Sequence, residues 1–251
     1  MTFEHKERVI FHIDVNSAFL SWEAVRRLKA GETLDLRTVP SAVGGDQKSR
    51  HGVITAKSIP AKNYGIVTGE PVAAALRKCP QLFLVPPDFK LYQESSHAFI
   101  KICREYSEVL EQFSIDECFL DMTAEAGNDR EKAVKLAYEL KDRIRDELLF
   151  TVNVGVGGNK LLAKMASDFK KPDRVHTLFP DEIEKKMWPL PVGDLLFVGR
   201  SSVERLQVLG IRTIGDLAKM PESVLRSHFG EKASQAMHRS SNGIDDSPVQ
   251  S

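Results

Sequence analysis

Three carboxylates stand where the sequence gives little reason for charge. Asp14 falls near the end of Val9-Ile10-Phe11-His12-Ile13-Asp14-Val15, a run whose β-branched and aromatic residues read as a buried strand. About a hundred residues later, Asp116-Glu117 lies between two short β runs, VLEQFS and CFLDM, in the manner of an acidic hairpin turn. Taken singly, Asp14 is a cap for the next helix and Asp116-Glu117 a polar turn, and for either site alone that is the commoner case. Brought together the three would repel, and unpaired buried charge is costly, so a compensating cation is expected. Ligands that are all oxygen select a hard ion such as Mg²⁺. Two Mg²⁺ ions held there would activate an attacking oxygen and stabilise a leaving pyrophosphate, which is the chemistry of nucleotidyl transfer.

Such chemistry needs cations for phosphate. SIPAK supplies Lys62, and GGNKLLAKMASDFKKP supplies Lys160 and Lys164 at i and i+4 on one helix face. A solvated helix lysine is the ordinary reading of each taken singly. The stretch Gly155 to Lys160 has neither GxxxxGK[ST] nor GxGxxG spacing, which excludes a phosphate loop of those kinds. FVGRSSVERLQVLGI reads as a helix-hairpin-helix, in which Gly199, Arg200 and Ser201 open a helix whose backbone N–H groups could hold a DNA phosphate. Arg205 and Arg212, with Lys170, Lys171 and Arg174 before them, add local positive charge.

The elements that must position these residues follow from periodicity. Ser17 to Lys29 has helical spacing and closes at Gly31. Thr38 to Pro87 turns to short strands rich in Gly and Pro, an inserted small α/β unit. Phe89 to Leu110 is predicted helical, Arg130 to Leu149 more clearly so, TVNVGVG is a strand, and NKLLAKMASDF is a helix ending before Lys171-Pro172. The order strand, helix, hairpin, helix, strand predicts an α+β fold, a ferredoxin-like βαββαβ core with an insertion in its first crossover. In that sheet the first strand lies antiparallel to the third, which brings Asp14 to Asp116 and Glu117. Beyond Pro172 only short helices joined by Gly and Pro are expected, and the tail SSNGIDDSPVQS reads as polar.

The 251 residues carry 35 basic and 35 acidic side chains, so any nucleic-acid partner must be met by local patches. Cys79, Cys103 and Cys118 show no metal-ligand spacing and are expected to be reduced, mostly buried thiols. MTFEHKERV lacks the apolar run of a signal peptide and no stretch has the length of a membrane span, so a cytoplasmic location is the default expectation.

Four segments in order, FHIDVNSAFLSWE, SIDECFLDMT, VGVGGNKLLAKMASDFKKPD and VGDLLFVGRSSVERLQVLGIRTIGDLA, resemble motifs of the Y-family translesion DNA polymerases, the ImpB/MucB/SamB and UmuC / DNA polymerase IV-like group. The resemblance covers nearly the whole chain. It implies a palm at residues 1–17 and 88–171, fingers at 18–87, a helix-hairpin-helix thumb at 172–241 and, at 242–251, a linker stub toward a C-terminal little-finger domain that this chain does not include. It implies low-fidelity, template-directed DNA synthesis across damaged templates with two Mg²⁺ ions. By motif position Asp14, Asp116 and Glu117 would be the catalytic carboxylates, and Val15 would lend its carbonyl to a metal. Phe19 would be a steric gate against a ribose 2′-hydroxyl, and Lys62 and Lys164 would contact the dNTP. Where many relatives have Tyr-Glu-Ala-Arg, this chain has Ile59-Pro60-Ala61-Lys62, so Ile59 is assigned no role and a point-charge lysine replaces a bidentate arginine. Primer-template DNA and dNTP are the implied partners; a sliding clamp would be met through a region absent from this chain.

Two rivals remain at this level. A palm-type nucleotidyl cyclase also sets acids on a βαββαβ sheet, and Gly44-Gly45-Asp46-Gln47 superficially suggests its signature, although outside the strand pair. A non-catalytic DNA- or partner-binding fragment is the other, and it predicts salt-sensitive DNA binding without Mg²⁺-dependent extension.

Overall fold

Ile10–Val15 forms strand β1, the middle of a five-stranded sheet. The computed structural model describes residues 7–45 and 52–250; Asp46 and Gln47, and with them the cyclase-like signature, lie outside the described residues. In chain order β1 is followed by α1 (Ala18–Lys29), β2 (Ser41–Gly44), β3 (Ile54–Lys57), α2 (Ile59–Asn63), α3 (Val72–Lys78) and β4 (Phe83–Val85). Then come α4 (Phe89–Arg104), β5 (Leu110–Gln112), β6 (Glu117–Asp121), α5 (Thr123–Ala126), α6 (Arg130–Leu148), β7 (Val152–Gly157) and α7 (Lys160–Asp168). The remainder is β8 (Val175–Leu178), α8 (Ile183–Lys186), α9 (Arg200–Val208), α10 (Ile214–Lys219), α11 (Glu222–Phe229) and α12 (Glu231–Ser241). The boundaries are chemical: Asp88, Asp129 and Asn159 accept from the backbone N–H of Leu91, Lys132 and Leu162, capping α4, α6 and α7.

The sheet order β5-β6-β1-β7-β8 contains the ferredoxin-like arrangement, with β1 antiparallel to both β6 and β7. Three particulars differ from the sequence reading. Val175–Leu178, in the stretch expected to be only short helices, is a fifth strand running parallel to β7, because the outer edge of β7 offers unpaired backbone groups. The helix from Phe89 ends at Arg104 rather than Leu110, and Tyr106 instead closes a turn onto Cys103. Leu20, Trp22, Ala24 and Val25 of α1 pack into the core of the large sheet, so α1 does not belong to the insertion alone.

The two faces of the sheet are built differently. Phe11, Ile13 and Val15 alternate onto one face, where with Leu120, Val152, Val154 and Val156 they form the main core beneath α4 and α6. Ile10, His12 and Asp14 point to the other face, and so do Gly155 and Gly157 of β7. Those two glycines let α7 lie directly on the strand: a Cβ on Gly157 would stand 2.7 Å from the Ala163 nitrogen, and one on Gly155 2.5 Å from the Ser167 nitrogen. The close approach carries Lys164 and Ser167 down onto His12.

The insertion makes its own three-stranded sheet, β3-β2-β4, over Ala42, Ile54, Ala61, Ile66 and Val72. The helices after α8 share a second large core that includes Leu162, Leu195, Leu206, Ile214 and Leu225. The expected linker is docked: Asp245 accepts from the Leu161 N–H, the Gln250 N–H donates to Glu111, and Val249 is buried with Ile10, Phe119 and Ala163. Cys79, Cys103 and Cys118 are buried, unpaired thiols.

Candidate active site

The register of β1 on β6 sets Asp14 opposite Glu117, and the Val15 N–H donates to the Asp116 carbonyl at 3.0 Å. The ends of two strands distant in sequence thus bring all three acids to one end of the sheet. The turn is tied by its own groups: Phe113 and Ser114 N–H donate to the Glu117 carbonyl, and the Ser114 hydroxyl donates to Asp116 Oδ1 at 2.7 Å.

Ammonium groups of the chain meet two of these charges. Lys171 Nζ is 2.8 Å from Asp14 Oδ2, and Lys164 pairs with Glu117. Burial nonetheless raises the Asp14 carboxyl to about 6, against the pull of Lys171. Burial works the same way on Glu117, but hydrogen bonds from His12 and Lys164 outweigh it and hold that carboxyl at about 2. His12 is itself buried, which disfavours its charged form. Its Nε2 lies 3.1 Å from Glu117 and its Nδ1 2.8 Å from the Ser167 hydroxyl oxygen, whose own proton goes to the Lys164 carbonyl. Among the described residues no group of three or more His, Cys, Asp or Glu side chains is gathered closely enough to hold a metal ion. The charge balance from which a metal was expected is here supplied in part by lysine.

Asp14 opens into two adjoining hollows of about 220 and 240 Å³ that share Asp14, Ser17 and Lys57. The first is also lined by Val15, Phe19, Thr55, Thr68 and Asp116; the second by Asn16, Ile59, Lys62 and Lys171. One wall is therefore acid-bearing sheet and the other the inserted unit with its cations. Burial and the nearby Lys62 push the Lys57 ammonium below its ordinary range. Phe19 lies on the floor, its ring stacked on Tyr92 at 4.4 Å and 11°. The Tyr92 hydroxyl donates to Glu23 at 3.1 Å, and Glu23, only 1 % exposed, is held by Arg26 at 2.8 Å.

The cleft unites Asp14, Val15, Asp116, Phe19 and Lys62, with Glu117 beside Asp14 in the strand pair. Lys164 does not line it; it faces Glu117 and lies 5.2 Å from the Phe113 ring centroid, while Lys160 is committed to Glu111. Lys57 and Lys171 do line it; sequence reasoning passed over Lys57 and counted Lys171 only as basic charge ahead of the helix-hairpin-helix. Lys171 sits in a basic helix end, KKP, with no local sign that it reaches back to Asp14. His12 and Ser167 were also missed; the period-two spacing of His12 and Asp14 was the available signal. Gly199, Arg200 and Ser201 lie apart, at the start of α9, with Arg200 94 % exposed.

A sheet with converging acids, an inserted unit carrying lysines and a Gly-entered helical region define a class. Over residues 13–168 the chain matches the impB/mucB/samB family, and it belongs to that family. Residues 193–245 match the thumb domain of DNA polymerase-iota. The chain is 50% identical over 244 residues to DNA polymerase IV of Clostridium acetobutylicum, covering 96% of this chain and 60% of that protein. It is 40% identical over 244 residues to DNA polymerase IV 1 of Bacillus subtilis, covering 97% of this chain and 57% of that one. The chain thus spans somewhat more than half the length of these relatives. Among solved structures, DinB from Sulfolobus solfataricus shares the fold with a TM-score of 0.84 at 24% identity, over 96% of this chain and 69% of that one. Among the described residues no helix is long and apolar enough to cross a membrane.

Proposed function

We propose that the chain is the catalytic core of a translesion DNA polymerase, adding deoxynucleoside monophosphates to a primer 3′-hydroxyl on a template and releasing pyrophosphate. The observation that carries this reading is the β1–β6 register, which unites Asp14 and Glu117 beside a cleft lined by Asp116, Phe19 and lysines. In this reading the large sheet and its helices are the palm, the β3-β2-β4 unit the fingers, and the helices after α8 the thumb. The donor set of Asp14, Asp116, Glu117 and the Val15 carbonyl is all oxygen, the chemistry a hard ion selects, and these are the groups that would hold two Mg²⁺ ions once drawn together and released from their lysines. Bound there, Mg²⁺ supplies activation of the attacking oxygen and neutralisation of charge on the phosphates.

The remaining work belongs to side chains. Lys57, Lys62 and Lys171, around the second hollow, bind the triphosphate as point charges. Phe19 underlies the sugar, where a 2′-hydroxyl would clash with the ring. His12 and Lys164 act indirectly, keeping Glu117 ionised and in place. The small fingers, with a short core of their own, support loose contact with the nascent pair and hence lesion tolerance and low fidelity.

Primer extension on undamaged and damaged templates tests the reading. Asp116→Ala and Glu117→Ala are each expected to lower the rate about a thousandfold or more, a loss of several kcal/mol of transition-state stabilisation. Wild-type rates in both variants would overturn it.

A further inference from the structure

The turn before α9 points one aromatic ring away from every core. Leu195 is buried and Val198 packs beside it in the helical core, yet Phe197 between them is 83 % exposed. Its backbone has φ of 68°, a left-handed conformation that a bulky L-residue rarely adopts. The turn is closed by the Val198 N–H donating to the Leu195 carbonyl, so the ring is held outward by the same geometry that buries its neighbours. It borders a cleft of about 170 Å³ between the helical region and the large sheet, whose other wall includes Phe113, Phe119, Lys160 and Lys164. Phe113 is itself 47 % exposed.

We propose that Phe197 is a nucleic-acid contact, its ring lying against the sugar or base face of a DNA strand that passes between thumb and palm. The proposal rests on the polymerase reading above. Exposed rings on both walls offer flat apolar faces that any base or sugar can meet, the sequence-tolerant mode of strand binding. The charge agrees: Arg200, three residues on, reaches into solvent with only a loose contact of 3.4 Å to Glu204, and the helix start at Gly199 carries no side-chain cap. Lys160 and Lys164 are engaged with Glu111 and Glu117, so Arg200 supplies phosphate attraction on this side while Phe197 supplies the apolar contact. Asp245 on the cleft floor is turned to the Leu161 amide and is not presented to a strand.

The test is fluorescence anisotropy of this chain with a labelled primer-template hairpin at several salt concentrations, with Phe197→Gly and Arg200→Ala beside wild type. Glycine permits the left-handed backbone, so Phe197→Gly is expected to melt at or above the wild-type temperature. Its DNA affinity should fall about five- to thirtyfold, within the range for loss of one ring contact, with the salt slope unchanged. Arg200→Ala should weaken binding and reduce the salt slope by about one. Loss of affinity in Arg200→Ala with none in Phe197→Gly would overturn the ring contact and leave the polymerase reading intact. Undiminished binding in both variants, or no binding by wild type, would overturn the ring contact together with the thumb's role in that reading. A wild-type dimer that only Phe197→Gly dissolves would reassign the ring to a contact between copies and likewise overturn it.

Discussion

Phe19 cannot be understood apart from the ring behind it. Tyr92 stacks on it and is tethered through its hydroxyl to Glu23, which Arg26 holds from the surface side of α1. The floor of the cleft is thus a column in which stacking and hydrogen bonding alternate. If the ring is what excludes a 2′-hydroxyl, Phe19→Ala should raise ribonucleotide incorporation relative to deoxyribonucleotide by at least about tenfold, read as the ratio of kcat/KM values. A ratio equal to wild type would remove the gate. The acids stood out in the sequence because each sits in a strongly patterned segment, and Phe19 was legible only through the family motif around it. Lys57, Lys171 and Tyr92 were not, because their significance comes only from what lies across the cleft or beneath it.

The same contrast holds for elements. β1, α6 and β7 announce themselves by periodicity, but β8 has only Val-His-Thr-Leu, three of the four half-buried, and exists because the edge of β7 was open to pair with. The seating of α7 depends on Gly155 and Gly157, whose spacing of two was visible in VGVGG although its purpose was not. Gly157→Ala forces α7 off the sheet or strains it, and a loss of about 3 kcal/mol or more is expected in urea melts, since backbone atoms block the added methyl. A loss below about 1 kcal/mol would show that α7 is not seated by contact. After β8, Glu182 accepts from the Phe179 N–H and pairs with Lys186 at 2.6 Å. These bonds outweigh burial and lower its carboxyl below the ordinary value. A depressed carboxyl stabilises the fold above its unfolded-state value and ceases to do so as acid protonates it. Glu182→Gln should therefore cost about 1–2 kcal/mol at pH 7, and the difference from wild type should shrink as pH falls from the ordinary carboxylate range through the lowered folded value. A difference independent of pH would deny the ionic part.

Across the whole molecule the cores are unequal. The large sheet is clamped between α4 and α6 on one face and α7 on the other, whereas the β3-β2-β4 sheet has only a short core around Ala42, Ile54, Ile66 and Val72. Local opening follows buried contact, so amide hydrogen exchange over residues 52–85 should be faster than in β1 and β7 by orders of magnitude. Equal protection would argue that the two sheets open as one unit. The acid wall of the cleft then stays fixed while the cation wall adjusts. Two tryptophans divide along related lines. Trp22, 1 % exposed, sits in the main core beside the stacked Phe19 and Tyr92 rings with an indole N–H that has no partner among the described residues, while Trp188 packs with the C-terminal helices and donates to the Ser241 carbonyl. Each large core therefore carries its own intrinsic fluorophore, one in a dry aromatic setting and one polarised by a carbonyl and by the Lys219 ammonium 5.2 Å away. Emission from a Trp188→Phe chain reports on the large-sheet core alone and emission from Trp22→Phe on the C-terminal helical core alone, so whether the two melt together can be read without attaching a dye.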